Sequence, residues 1–258
     1  MVATAPTIAK RRTDAPDHSE VEHVTATIVN MRYRTFGRTG WKVSEIGYGM
    51  WGMGGWTGSD DDESLRALER AIALGCNFFD TAWAYGQGRA SSCLVRCGAQ
   101  HRDATMIVAT KIPPKNMRWP ARAESSIDET YPADHIRKLT ETSLENLGVD
   151  AIDLQQFHVW SDTWADDRHW QRAVDDLKRE KLVRAFGISV NRREPANVLR
   201  ALETGLIDSV QVVYNVFDQS PEDELFPCCQ QHDIADHRAG AVRRRQPHRH
   251  ADVRVDLA

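Results

Sequence analysis

Apolar residues in this chain follow two alternating patterns. From residue 31 onward, short blocks of consecutive apolar residues alternate with stretches where they recur every three or four positions. The first pattern marks buried strands and the second amphipathic helices. Residues 33–36 and 41–43 flank Gly37-Arg38-Thr39-Gly40, which predicts a β-hairpin, and a strand follows over 44–49. Leu65, Leu68 and Ile72 share a helical face that Gly75 terminates. A strand over 76–79 ends at Asp80, and a weaker helix over 91–101 precedes a strand over 106–110 that ends at Lys111. Pro132 suits the first turn of a helix carrying Ile136, Leu139, Leu144 and Leu147, closed by Gly148. A strand over 152–157 runs into His158, and Trp170, Ala173, Val174 and Leu177 form the next helical stripe. A strand over 185–188 ends at Ser189, a helix carries Val198, Leu199 and Leu202 up to Gly205, and a strand over 209–213 precedes a helix over 222–232.

The pattern amounts to six strand–helix units in strict alternation. Such alternation implies parallel strands joined by crossover helices, in either a doubly wound sheet or an eight-stranded barrel. A doubly wound nucleotide domain carries G-x-G-x-x-G after its first strand, whereas this loop reads Gly49-Met50-Trp51-Gly52-Met53-Gly54-Gly55. The polar residues Asp80, Lys111, His158 and Ser189 instead stand at the ends of four different strands, which is where α/β barrels build active sites. The fold expected is therefore an α/β (β/α)8 TIM barrel, incomplete, with about six of its eight units plus an N-terminal hairpin.

Composition narrows the class further. With 41% hydrophobic residues in 258, the chain can bury a sizeable core, and a net charge of −4 gives no electrostatic reason to expect nucleic acid. Five cysteines (Cys76, Cys93, Cys97, Cys228, Cys229) include no C-x-x-C pair, so unpaired thiols and no metal site are expected. The absence of an apolar run of about 20 residues argues against a membrane span, and a cytoplasmic location is expected. Residues 1–30 are polar and aperiodic and read as a disordered extension, with Met31 resembling a natural start. The barrel is expected over 31–234.

At this point a resemblance becomes specific. FFDTAWAYGQG resembles the aldo-keto reductase signature around a catalytic Asp and Tyr, ATKIP the strand delivering a catalytic Lys, and DLQQFHVW the strand delivering an active-site His. VRAFGISVN and VQVVYN resemble two strands that hold a nicotinamide carboxamide, and RTFGRTGWKVSEIGYGMWGMGG resembles the family's opening. The resemblance implies an NADPH-dependent oxidoreductase that reduces a small-molecule aldehyde or ketone to an alcohol. Its catalytic residues would be Asp80, Tyr85, Lys111 and His158. Tyr85 would be the general acid, Lys111 would lower its pKa, Asp80 would hold Lys111, and His158 would orient the carbonyl. Gly49, Met50, Trp51, Asp80, Ser189, Asn191 and Gln211 would bind the cofactor, Asn191 less securely because Val190 follows Ser189 directly. Trp51, Trp56, Trp83 and Trp160 would line the substrate pocket, whereas Trp119, Trp164 and Trp170 read as packing. After YGQG the family has a Ser-Glu pair where this chain has Ala90-Ser91-Ser92-Cys93.

The resemblance stops after Ile234, and residues 235–258 read as a basic, non-family tail that is disordered. One allowed back-translation of residues 236–250, read one base later, spells IIARVPFDEGSLTG, which resembles the family's seventh strand. A frameshift near codon 235 is the expectation drawn from it. A barrel of six strands would keep two unpaired edges, predicting low stability and weak cofactor affinity. Other readings of the chain are a catalytically impaired or dead remnant of the same fold, a non-enzymatic binding subunit, or an unrelated barrel enzyme. Substrate identity and oligomeric state are not legible in the sequence.

Overall fold

The structure is a computed structural model that describes residues 30–56, 58 and 60–240. The expected N-terminal extension, apart from residue 30, and residues 241–258 of the expected tail lie outside the described residues. An antiparallel hairpin comes first: β1 (Tyr33–Thr35) pairs with β2 (Lys42–Ser44) across a tight turn. Gly37 in that turn has φ +46°, and a Cβ on it would meet Ala235 N at 2.5 Å and Asp233 O at 2.7 Å. Only glycine lets the hairpin approach the backbone beneath it so closely.

The remaining strands form one parallel sheet in sequential order. They are β3 (Tyr48–Gly49), β4 (Phe78–Asp80), β5 (Ile107–Ile112), β6 (Ile152–Phe157), β7 (Val183–Ser189), β8 (Ser209–Val213) and β9 (Ala235–Ala239). Between them run α1 (Asp61–Ala73), α2 (Arg89–Gln100), α3 (Ile127–Thr130), α4 (Ala133–Leu147), α5 (Arg168–Arg179), α6 (Leu199–Glu203) and α7 (Leu225–Gln231). Seven parallel strands wound in one direction and clothed by helices make a nearly closed barrel, one strand short of the (β/α)8 fold. Local chemistry sets the helix ends: Asp60 accepts from Glu63 N at the start of α1, Asp167 does the same for α5, and Gly148 takes the left-handed conformation after α4.

Sequence patterning ended the barrel at residue 234, and the structure corrects this. β9 pairs with β8 over five positions, from Ser209↔Ala235 to Val213↔Ala239. Its ADHRA sequence hides the strand because its outward residues are charged: Asp236 accepts from Arg238 Nε, and the Arg238 guanidinium lies over the rings of Tyr214 and Phe226. The expected strand over 44–49 is also divided, since only Tyr48 and Gly49 join the sheet. The last two helices are shorter than expected, with Glu222 in a separate 3-10 turn.

Three apolar clusters hold this frame. The largest lies between the outer face of β5–β8 and helices α4–α7, and includes Phe157, Trp160, Trp170, Phe186 and Val210. A second joins α1 and α2 to β3 and β4 through Leu68, Phe79, Leu94 and Cys97. The third fills the barrel floor, where Phe36 of the hairpin meets Phe78, Ile107, Leu154, Ala185 and Ala235.

Candidate active site

Side chains alternate faces along a strand, so floor residues such as Ile107, Leu154 and Ala185 place Lys111, His158 and Ser189 on the same interior face, nearer the strands' C-terminal ends. Asp80 closes β4, Lys111 is the penultimate residue of β5, His158 follows β6, and Ser189 closes β7 in register with Gln211 of β8. The Lys111 side chain is 1% exposed. Its Nζ donates to both oxygens of Asp80 at 2.8 Å, to the Thr81 carbonyl at 2.9 Å and to the Tyr85 hydroxyl at 3.5 Å. Gln211 Nε2 donates to Asp80 Oδ2 at 3.0 Å. Five residues from three separate stretches of the chain thus share one buried hydrogen-bonded cluster.

Burial and pairing compete at each of these groups. Burial pushes the Asp80 carboxyl up, but the Lys111 charge and the hydrogen bonds from Lys111 and Gln211 outweigh it and hold the pKa below the ordinary value. Burial likewise pulls Lys111 down, and the Asp80 charge reverses this and holds the ammonium above its usual range. Burial raises the Tyr85 hydroxyl, with Lys111 acting to lower it and Asp80 to raise it further, and the net shift is upward. Lys111 therefore has the expected effect on Tyr85, but burial overrides it. Burial, with help from Lys111, lowers His158 to about 3, so its imidazole is neutral at physiological pH and one ring nitrogen carries a proton.

Three aromatic rings close the mouth. Tyr85 stands edge-on to His158 at 6.0 Å, Trp56 edge-on to Tyr85 at 6.1 Å, and Trp51 is 5.5 Å from Trp56. Trp51 and Trp56, expected to line the pocket, keep 36% and 44% of their surface exposed. Trp160 does not: it is 1% exposed and packs on Phe157, Trp164 and Trp170 in the outer core. Trp83 also packs against that outer cluster. Sequence patterning assigned Trp119 to packing, yet its ring stands edge-on to His158 at 5.8 Å. It sits in the loop after β5, where an aperiodic stretch gives a sequence reader no face to assign.

The expected cofactor residues divide in the same way. Met50 N donates to Asp80 O at 2.9 Å, which fixes the loop containing Gly49 and Trp51 at the barrel mouth, but the Met50 side chain is wholly buried beside α1 and α2. Ser189 and Gln211 are buried neighbours. Asn191 turns away to accept from Arg193 N within its own loop.

The Aldo/keto reductase family model matches residues 45–240. An uncharacterized oxidoreductase of Bacillus subtilis, YqkF, is 31% identical over 205 residues, which are 80% of this chain and 63% of that protein. The holo form of aldo-keto reductase AKR11C1 from Bacillus halodurans superimposes with a TM-score of 0.67 at 28% identity, over 88% of this chain and 74% of that one. An aldo-keto reductase from Klebsiella pneumoniae in complex with NADPH does so with a TM-score of 0.62 at 25% identity, over 80% and 66% of the two chains. The present chain spans less than two thirds of the length of the curated relatives it matches.

Proposed function

Because the chain belongs to the Aldo/keto reductase family, we propose that its barrel mouth reduces aldehydes or ketones to alcohols with NADPH, and that Tyr85 supplies the proton. The observation that carries this reading is the buried contact of Lys111 Nζ with both the Asp80 carboxylate and the Tyr85 hydroxyl. The side chains at the mouth suit a nicotinamide amide. Gln211 spends one N–H on Asp80 and keeps a carbonyl oxygen for a ligand N–H, and the buried Ser189 hydroxyl lies beside it. Gly49, Met50 and Trp51 would pass along the ring, while Asn191 would have to leave its loop turn to take part. When bound, the nicotinamide supplies a hydride to the carbonyl carbon.

The chain's own residues account for the proton. Tyr85, raised by burial, holds its proton at neutral pH and can give it only as negative charge develops on the carbonyl oxygen. The nearby Lys111 ammonium stabilises the phenolate that remains, and Asp80 keeps Lys111 charged and in place. Neutral His158 donates its single ring N–H to the same oxygen.

The test is a titration of purified protein with NADPH and with NADH, followed by quenching of tryptophan fluorescence. A screen of aldehydes and ketones then monitors loss of the reduced nicotinamide. Saturable NADPH binding with carbonyl-dependent turnover is expected. No saturable binding of either nucleotide would overturn the proposal.

A further inference from the structure

Closing a barrel removes its sheet edges, and among the described residues this barrel keeps two. β3 and β9 stand at the ends of the strand order and are not paired with each other. The inward face at both edges leaves room. Tyr48 packs toward α1 and α2, so its neighbour Gly49 faces the interior, where a Cβ would meet nothing within 4 Å. On β9, Ala235 belongs to the floor cluster, so Ala235, His237 and Ala239 face inward and Asp236 and Arg238 outward. Arg238 is paired with Asp236 and still keeps 46% of its side chain exposed.

The sequence beyond the described residues holds a segment of matching character. Residues 252–257 read Asp-Val-Arg-Val-Asp-Leu, a strict alternation of charged and apolar side chains that the Arg-rich stretch before them lacks. A period of two gives a strand one charged and one apolar face. We propose that residues 252–257 close the barrel as its eighth strand, between β9 and β3, in place of the disordered tail expected from composition. This proposal does not depend on the reductase reading.

Length sets the direction of the strand. Twelve residues, 240–251, lead from β9 to this segment. Hairpin loops use about 2–5 residues, whereas a crossover to a parallel neighbour takes about 10–12 or more. The segment therefore runs parallel to β9, like the other strands of the sheet. Gly240, at φ +74°, turns the chain as it leaves β9. Charge sets the register. Arg254 beside Asp236 brings Asp256 beside Arg238, two opposite pairs on the outward face. Val253, Val255 and Leu257 then point inward beside Ala235, His237 and Ala239, toward the space at Gly49. A slip of two residues sets like charges together, and a slip of one buries the charges and exposes the apolar side chains. The barrel is one strand short of closure, so the opening suits a single extended segment better than the edge of a second barrel.

The test is a disulfide cross-link in the full-length chain, mapped by peptide mass so that the native thiols are told apart. Neighbouring strands lie about 4.8 Å apart, within disulfide reach. Arg238→Cys combined with Asp256→Cys should link within one chain. Arg238→Cys combined with Leu257→Cys, on the opposite face, should link at least about tenfold less. Equal linking of the two pairs, linking of neither, or linking only between two chains would each overturn the proposal. Hydrogen exchange on the unsubstituted chain needs no variant to fold. Backbone amides of residues 253–257 should exchange at least about tenfold more slowly than in a free peptide of the same sequence. Exchange at the free-peptide rate would sink the eighth strand whatever the variants do.

Discussion

The two ends of this barrel treat buried charges differently, although His237, packed on Phe36 and Phe78 of the floor cluster, also keeps its Nε2 without a partner. At the floor, Asp208 is the hub of a satisfied network. Its carboxylate accepts from Arg38 Nε at 2.9 Å, from Lys178 Nζ at 2.5 Å and from the Phe186 backbone N–H at 2.9 Å. Arg38 Nη2 donates to the Gly205 and Ile207 carbonyls, and Lys178 Nζ donates to Leu206 O. At the mouth, Asp80 and Lys111 are paired, but His158 and Trp119 keep buried nitrogens without partners. A region that only has to hold the fold satisfies every charge locally. A region that has to bind something leaves donors for it. The difference predicts that floor substitutions should cost stability and mouth substitutions activity.

Tyr85→Phe should separate the two most widely. It removes one hydroxyl whose hydrogen-bond partner among the described residues is Lys111 at 3.5 Å, so the unfolding free energy should shift by less than about 1 kcal/mol. Turnover should fall by about 10²–10⁴, the usual contribution of a positioned general acid. Steady-state kinetics beside urea denaturation would show both. Turnover close to that of the parent would remove Tyr85 from the chemistry.

Asp208→Ala should do the reverse. It leaves Arg38 and Lys178 without a counter-charge and the Phe186 N–H without an acceptor. Breaking a fully buried pair costs about 3–5 kcal/mol. Arg38 and Lys178 are 31% and 23% exposed, so water recovers part of that, and about 2–4 kcal/mol is expected. The urea midpoint would report it. A loss below about 0.5 kcal/mol, the scale of an ordinary surface change, would mean that the hairpin and shell are held by the apolar floor alone.

The mouth side of this contrast was legible in the sequence and the Asp208 network at the floor was not, for physical reasons that also explain the other gaps. Asp80, Lys111, His158 and Ser189 could be found because each ends an apolar strand, and parallel strands in a barrel present such ends at one mouth. β9 was missed because Asp236 and Arg238 satisfy each other and Arg238 covers Tyr214 and Phe226, so the strand lacks an apolar face. Trp160 and Trp119 exchanged roles because tryptophan is at home in either a core or a pocket. Only the fold reveals that Trp160 follows β6 into the outer shell while the β5 loop lays Trp119 against His158. The direction of the Tyr85 shift depended on how deeply the cluster is buried, which no motif records.

The smallest effect is the most selective, because it tests whether the mouth is dry. The His158 imidazole titrates near 6.5 in the unfolded chain and at about 3 in the folded protein. The folded-state value is depressed, so as pH falls through 6.5 the unfolded state takes up a proton that the folded state refuses. Stability is therefore complete above that pH and is lost progressively down to about 3. One pH unit corresponds to about 1.4 kcal/mol, so at about pH 5 the loss from this residue is roughly 2 kcal/mol. His158→Leu removes the titration and replaces an unpartnered polar group with an apolar one, so it should match or exceed the parent in stability at neutral pH. His237, which burial lowers to about 4, titrates in both proteins and cancels in the comparison. Urea denaturation at about pH 7 and about pH 5 should show the variant gaining roughly 2 kcal/mol on the parent. Parallel losses in the two proteins would mean that water reaches His158 in the folded state, and that its nitrogens are not held in reserve for a ligand.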